Sequence, residues 1–129
     1  MSYLNEQQLA HFKAKLDAEQ AKTRSAIDAI FQASDHVSHQ LAVEKLATFS
    51  TDELIEFTQK IDDRELKRKI DHLKKIDASL NNLDQGMYGL CSDCEMELSI
   101  DVLNDVPTTQ RCPQCEVKYQ KQRYNDYRL

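Results

Sequence analysis

The first 85 residues of this 129-residue chain contain neither glycine nor proline; Gly86, Gly89, Pro107 and Pro113 all fall behind that stretch. Glycine and proline punctuate turns, so their absence from a segment rich in Leu, Lys, Glu, Gln and Ala excludes a many-turned fold there and argues for long helices. Tryptophan is also missing, and 30% of the residues are charged against 40% hydrophobic. That composition excludes a large globular core and suits an elongated helical body with a small stapled module. No apolar run opens the chain, since Met1 to Asp17 carries Glu6, Lys13, Lys15 and Asp17. Neither a secretory signal nor a membrane segment is expected, and the expected location is cytoplasmic. The formal net charge of −5 argues against autonomous, sequence-specific DNA binding, because affinity for phosphates comes from Lys and Arg.

Cysteine is scarce but patterned. Four cysteines form two Cys-x-x-Cys pairs, Cys91/Cys94 and Cys112/Cys115, with seventeen residues between the pairs. Each pair offers two thiolates from one tight turn, and two such turns complete the tetrahedral shell of a structural zinc ion. Two disulfides, an iron–sulfur site or a redox-active Cys-x-x-Cys could use the same residues; the missing signal segment weighs against disulfides. The expectation is one structural Zn2+ on Cys91, Cys94, Cys112 and Cys115. Four protein ligands leave no position for water, so no catalysis at the metal is expected and the chain is not read as an enzyme.

Apolar residues at Leu54, Phe57, Ile61, Leu66, Ile70, Leu73, Ile76, Leu80 and Leu83 step by threes and fours, apart from a five-residue step between Ile61 and Leu66. This is one narrow helical stripe that needs a partner. Leu9, Phe12, Leu16, Thr23, Ile27, Ile30, Val37 and Leu41 offer a weaker one. Ser50-Thr51-Asp52-Glu53 reads as a helix start, with Ser50 capping and Glu53 closing a capping box. A turn near Thr48 to Thr51 would fold residues 5–47 back along 52–84, giving a hairpin of about 50 Å. A second possible turn lies at Ala33 to Ser38, where helix propensity drops. The fold class expected is therefore mainly α: a long antiparallel coiled-coil helical hairpin over 1–84, then a small four-cysteine zinc finger with a C-terminal helix over 85–129. The histidines His11, His36, His39 and His72 are scattered and carry no expectation of a second metal site.

The segment Gln85-Gly86-Met87-Tyr88-Gly89-Leu90-Cys91-Ser92-Asp93-Cys94, Pro107-Thr108 and Cys112-Pro113-Gln114-Cys115 together resemble the DksA/TraR family of bacterial transcription regulators. The resemblance covers residues 85–115 in detail, and the hairpin only in length and periodicity. It implies a protein that binds RNA polymerase, its coiled-coil tip entering the secondary channel to modulate initiation. Family tips commonly carry Asp-x-x-Asp-x-Ala. Here Asp35-His36-Val37-Ser38-His39-Gln40 keeps only the first acid, so the candidate tip residues are Asp52 and Glu53 at the later turn and Asp35 at the earlier one. Family members that respond to the nucleotide ppGpp carry basic residues where this chain has Val106 and Glu116, so ppGpp binding is expected to be weak or absent. A different function also suits the sequence. Lys118, Tyr119, Lys121, Arg123, Tyr124, Tyr127 and Arg128 interleave cations with aromatics, as a zinc-ribbon adaptor for single-stranded nucleic acid or another protein would.

Overall fold

The computed structural model describes residues 3–128 and the side chains of 3–123. The described residues form helices α1 (Glu6–Gln32), α2 (Val37–Leu46), α3 (Thr51–Thr58), α4 (Arg64–Asp84), α5 (Ile100–Asp105) and α6 (Pro113–Arg128). An isolated antiparallel bridge, Leu90 to Glu97, is the sole β pairing among them. The fold is mainly α, with an antiparallel helical hairpin, a four-cysteine cluster and a C-terminal helix, as the periodicity and the cysteine spacing lead one to expect. By contact density the chain divides into two units: Leu16–Ala78, and the residues up to Lys15 taken together with those from Ser79 onward.

In the Leu16–Ala78 unit, Ile27 and Phe31 of α1 share one core with Leu66, Ile70 and Leu73 of α4, joined by Leu46 of α2 and Leu54 of α3. The end of α1 thus meets the start of α4, and the two run antiparallel. The expected unbroken helices over 5–47 and 52–84 are not observed: α1 stops at Gln32, and the second stretch is interrupted between Thr58 and Arg64. Local polar side chains make both breaks. Ser34 Oγ accepts from the His36 amide at 3.2 Å and pairs with His39 Nδ1 at 2.8 Å. Asp63 Oδ1 accepts from Leu66 N at 2.9 Å and starts α4 afresh. Such bonds compete with the helical backbone ladder. Each proposed turn exists, but the one before Thr51 joins α2 to α3 instead of capping a two-helix rod. There Ser50 and Glu53 form the reciprocal capping box anticipated from sequence, at 3.2 Å in both directions.

The α2–α3 pair lies back along the hairpin. Arg24 Nη2 donates to the carbonyl oxygens of Leu46 (3.1 Å) and Phe49 (2.5 Å), which close α2 and the turn after it. Gln20 Nε2 donates to Thr51 Oγ1 at 3.2 Å. Glu19 Oε2 and His72 Nε2 meet at 2.9 Å across α1 and α4.

In the other unit, a reciprocal pair of bonds between Asn5 and Gln8 starts α1 (2.8 and 2.9 Å). Phe12 packs against Tyr88, ring centroids 5.6 Å apart. The Tyr88 hydroxyl donates to Pro107 O at 2.7 Å, and burial pushes its pKa well up. Tyr3 donates to the carbonyls of Gly89 and Leu98. Gly89 is required twice: its φ is +90°, and a Cβ there would sit 3.0 Å from the Tyr3 ring.

The core assignment predicts opposite outcomes at two leucines. Leu73→Ala, at a fully buried position, should lower the unfolding free energy by about 2–5 kcal/mol in urea titration, whereas Leu41→Ala, at a position 73% exposed, should change it by no more than about 0.5 kcal/mol. Equal losses would contradict it.

Candidate metal centre and acidic helix ends

The first cysteine pair sits on a turn closed by backbone bonds. Glu95 N donates to Cys91 O (2.9 Å), Cys91 N to Met96 O (2.8 Å) and Leu98 N to Gly89 O (2.7 Å). Glu95 takes a left-handed conformation, φ 63°, which reverses the chain directly after Cys94. The second pair straddles a helix start: Cys112 precedes α6, Pro113 takes its first position, where no backbone donor is needed, and Cys115 follows in the first turn. Two bonds fasten the turns together, Ser92 N to Gln110 O at 2.7 Å and Arg111 Nε to Asp93 Oδ2 at 3.1 Å.

The four sulfur atoms lie within 4.8 Å of one another, and the arrangement can hold a metal ion. No disulfide joins them. Cys94 Sγ and Cys112 Sγ are 3.8 Å apart. A tetrahedron with metal–sulfur bonds of about 2.3 Å has edges of about 3.8 Å, so this spacing fits a thiolate-bound ion of zinc's size. The sulfurs are not equivalent. Burial raises the Cys91 thiol, but backbone amides of Cys94, Cys112 and Asp93 outweigh it and bring the thiol down to about 6 from the ordinary 9.0. Hydrogen bonding with Cys112 instead pushes Cys115 up to about 12. Negative charge therefore settles first on Cys91, the buried sulfur, toward which Cys94 and Cys115 donate.

The candidate acidic residues are not brought together. Asp52 and Glu53 lie exposed in the first turn of α3, where Glu53 serves the capping box. Asp52 stands close enough to Asp77 of α4 to add to the effect of burial in raising that carboxyl. Asp35 lies in the break after α1. It lines an open cavity of about 890 Å³ together with Asp62 and Asp63, which precede α4. Sequence reasoning did not single out Asp62 and Asp63, although the five-residue step from Ile61 to Leu66 spans them.

The aromatic tail is partly committed. Arg111 stacks 3.8 Å over the Tyr119 ring, and Arg123 approaches it at 5.8 Å. Tyr124, Tyr127 and Arg128 have side chains outside those described. No described helix is long and apolar enough to cross a membrane.

A helical hairpin and a four-cysteine cluster able to hold a metal ion, present in one chain, define a class of helical proteins with paired cysteine turns. No family model matches the chain. It is 31% identical over 115 residues to the RNA polymerase-binding transcription factor DksA of Haemophilus influenzae, covering 88% of this chain and 75% of that protein. It is 29% identical over 114 residues to the protein of the same name in Escherichia coli K12, covering 88% and 72%. The solved structure of the transcription factor DksA2 from Pseudomonas aeruginosa shares the fold, with TM-score 0.61, 20% identity and coverage of 95% and 90%. The chain belongs to the DksA/TraR family.

Ligand deprotonation sets the sign of the pH dependence. Cys91, its pKa depressed, contributes stability that is full above about 9 and lost as pH falls through about 6, while Cys115 has a proton to give up when metal arrives. Metal affinity measured by chelator competition should therefore fall steadily as the solution is acidified, with protons released on loading. A pH-independent affinity would contradict coordination by four thiolates.

Proposed function

We propose that this protein is a regulator of transcription that binds RNA polymerase and acts by contact alone, without enzymatic chemistry. The observation that carries the reading is the antiparallel α1–α4 pair whose reversing end gathers Asp35, Asp62 and Asp63, in a chain whose relatives are named RNA polymerase-binding transcription factors. The family resemblance supplies the route, with that end entering the polymerase secondary channel and modulating initiation. Such carboxylates suit an approach to a site that handles magnesium and phosphates, because hard oxygen ligands and negative charge bias it electrostatically. We assign Asp35 as the leading candidate among the acids expected from sequence, with Asp62 and Asp63 beside it. Asp52 and Glu53 lie next to the middle of α1 and α4.

One zinc ion on Cys91, Cys94, Cys112 and Cys115 would be structural, adding to the bonds that already fasten the two turns together. Four free thiols suit the reducing cytoplasm, where the polymerase works. The acidic run from Asp84 to Asp105, without Lys or Arg, and the engagement of Tyr119 by two arginines both weigh toward a protein partner over nucleic acid. Val106 and Glu116 offer no cation to the phosphates of ppGpp, which is therefore expected to bind weakly or not at all.

Tagged, metal-loaded protein should co-purify with RNA polymerase at physiological salt, and absence of association would contradict the proposal. Charge reversal in Asp35→Lys with Asp62→Lys should change initiation-complex lifetimes several-fold while leaving metal content at one ion per chain. Cys112→Ser should lose the metal and unfold the cysteine turns, at a cost approaching the roughly 10–16 kcal/mol of structural zinc in small peptides.

A further inference from the structure

Tyr3 and Leu4, ahead of α1, close on the segment that carries the first cysteine pair. Gly89 to Leu98 form a short hairpin in which Leu98 N donates to Gly89 O at 2.7 Å, Cys91 N donates to Met96 O at 2.8 Å, and Leu90 bridges Glu97. Cys91 and Cys94 lie toward its loop, so Gly89 and Leu98 are its base. The Tyr3 hydroxyl reaches both residues of that base, donating to Gly89 O and to Leu98 O. The space left by the missing side chain of Gly89 is taken by the same segment: a Cβ there would stand 3.0 Å from the Tyr3 ring and 3.2 Å from Leu4 Cδ1. Leu4 is buried. Burial, and the nearby Glu97 carboxylate, raise the pKa of Tyr3, so the hydroxyl keeps the proton it donates.

Two further contacts hold the start of α1 to the same unit, and neither touches the hairpin. Phe12 packs on Tyr88, and Lys15 Nζ donates to Asn104 O of α5 at 3.3 Å. A two-stranded hairpin with a single bridge is marginal by itself, so its closure depends on what grips it from outside. The bonds from Ser92 to Gln110 and from Arg111 to Asp93 grip the loop side, and Tyr3 grips the base. A grip that keeps the hairpin closed before a metal ion arrives removes the ordering cost from binding and so raises affinity.

We propose that Tyr3 is a positioning residue for the metal centre: its hydroxyl clamps the base of the Gly89–Leu98 hairpin and so presets Cys91 and Cys94 for the ion. The coupling is reciprocal by linkage, so the ion holds Tyr3 and Leu4 down as firmly as they favour the ion. Loss of the metal loosens the hairpin, releases the Tyr3 hydroxyl and uncovers Leu4. Metal occupancy is thereby signalled at the segment ahead of α1. This inference rests on the reading of the four cysteines as a zinc site and adds a residue outside the ligand set.

Zinc affinity of the full chain, measured by competition with a chromophoric chelator, tests it. Tyr3→Phe keeps the ring over Gly89 and removes only the hydroxyl, and its affinity should fall about two- to ten-fold, the range of one net hydrogen bond. Lys15→Met, which loosens α1 without touching the hairpin, should leave affinity unchanged. A fluorotyrosine at position 3 supplies a second readout: its fluorine resonance should move toward that of the free amino acid when zinc is removed and return on reloading. Three results would each overturn the inference while leaving the zinc site standing: one zinc ion bound as tightly by Tyr3→Phe as by the unaltered chain, an equal loss in Lys15→Met, or a fluorine signal indifferent to zinc. An unaltered chain that takes up no zinc would overturn both the inference and the zinc reading beneath it.

Discussion

A chain with 30% charged residues and no tryptophan can dry only a narrow strip of itself, and that strip must lie between helices. The seam of Ile27 and Phe31 against Leu66, Ile70 and Leu73 is the interaction on which the Leu16–Ala78 unit depends. It sets the register of α1 and α4, and through that register it decides which residues stand at the reversing end. Much of what lies outside the strip is charged, with Val37 and Leu41 of α2 among the exceptions. Burial of a few leucines and isoleucines, each worth about 1.5–3 kcal/mol, organises a surface available for recognition.

The polar contacts refine what the seam permits. Ser34 and Asp63 end the long helices by offering oxygen to backbone amides that a continuing helix would have used. Arg24 then satisfies carbonyls left over at the end of α2. In the other unit a comparable economy operates around tyrosine. Tyr88 and Tyr3 each deliver a hydroxyl to backbone carbonyls, so aromatic packing and polar satisfaction are met by the same side chains. Gly89 exists to let Tyr3 approach.

How much of this was legible depended on how local the cause was. The cysteine cluster could be read because each pair is a local turn with a fixed donor chemistry. The capping box at Ser50 could be read for the same reason, being confined to four residues. The breaks beside Ala33 and Asp62 were harder, since neither is marked by glycine or proline; a dip in helix propensity and a five-residue step in the seam were their only traces. The return of α2–α3 along the hairpin was not legible, because it rests on Arg24 meeting carbonyls more than twenty residues away. Nor was the grip of Tyr3 on Gly89 and Leu98, a tertiary bond across most of the chain. Asp62 and Asp63 carried no expectation until the fold set them in the lining of the same cavity as Asp35.

The four-cysteine cluster gathers donors that can hold a metal ion, and the reversing end of α1 and α4 presents carboxylates. The relatives are named for binding RNA polymerase, and the proposed function places the acids of this chain toward the active centre of that enzyme. Site-specific photo-crosslinking addresses it most directly, with a benzophenone amino acid at position 35, 48 or 62 of the metal-loaded protein in the presence of RNA polymerase. The account predicts crosslinks to polymerase segments lining the passage to its active centre, from at least one of these positions. Crosslinks to none of them, alongside crosslinks from a control position on α6, would contradict it.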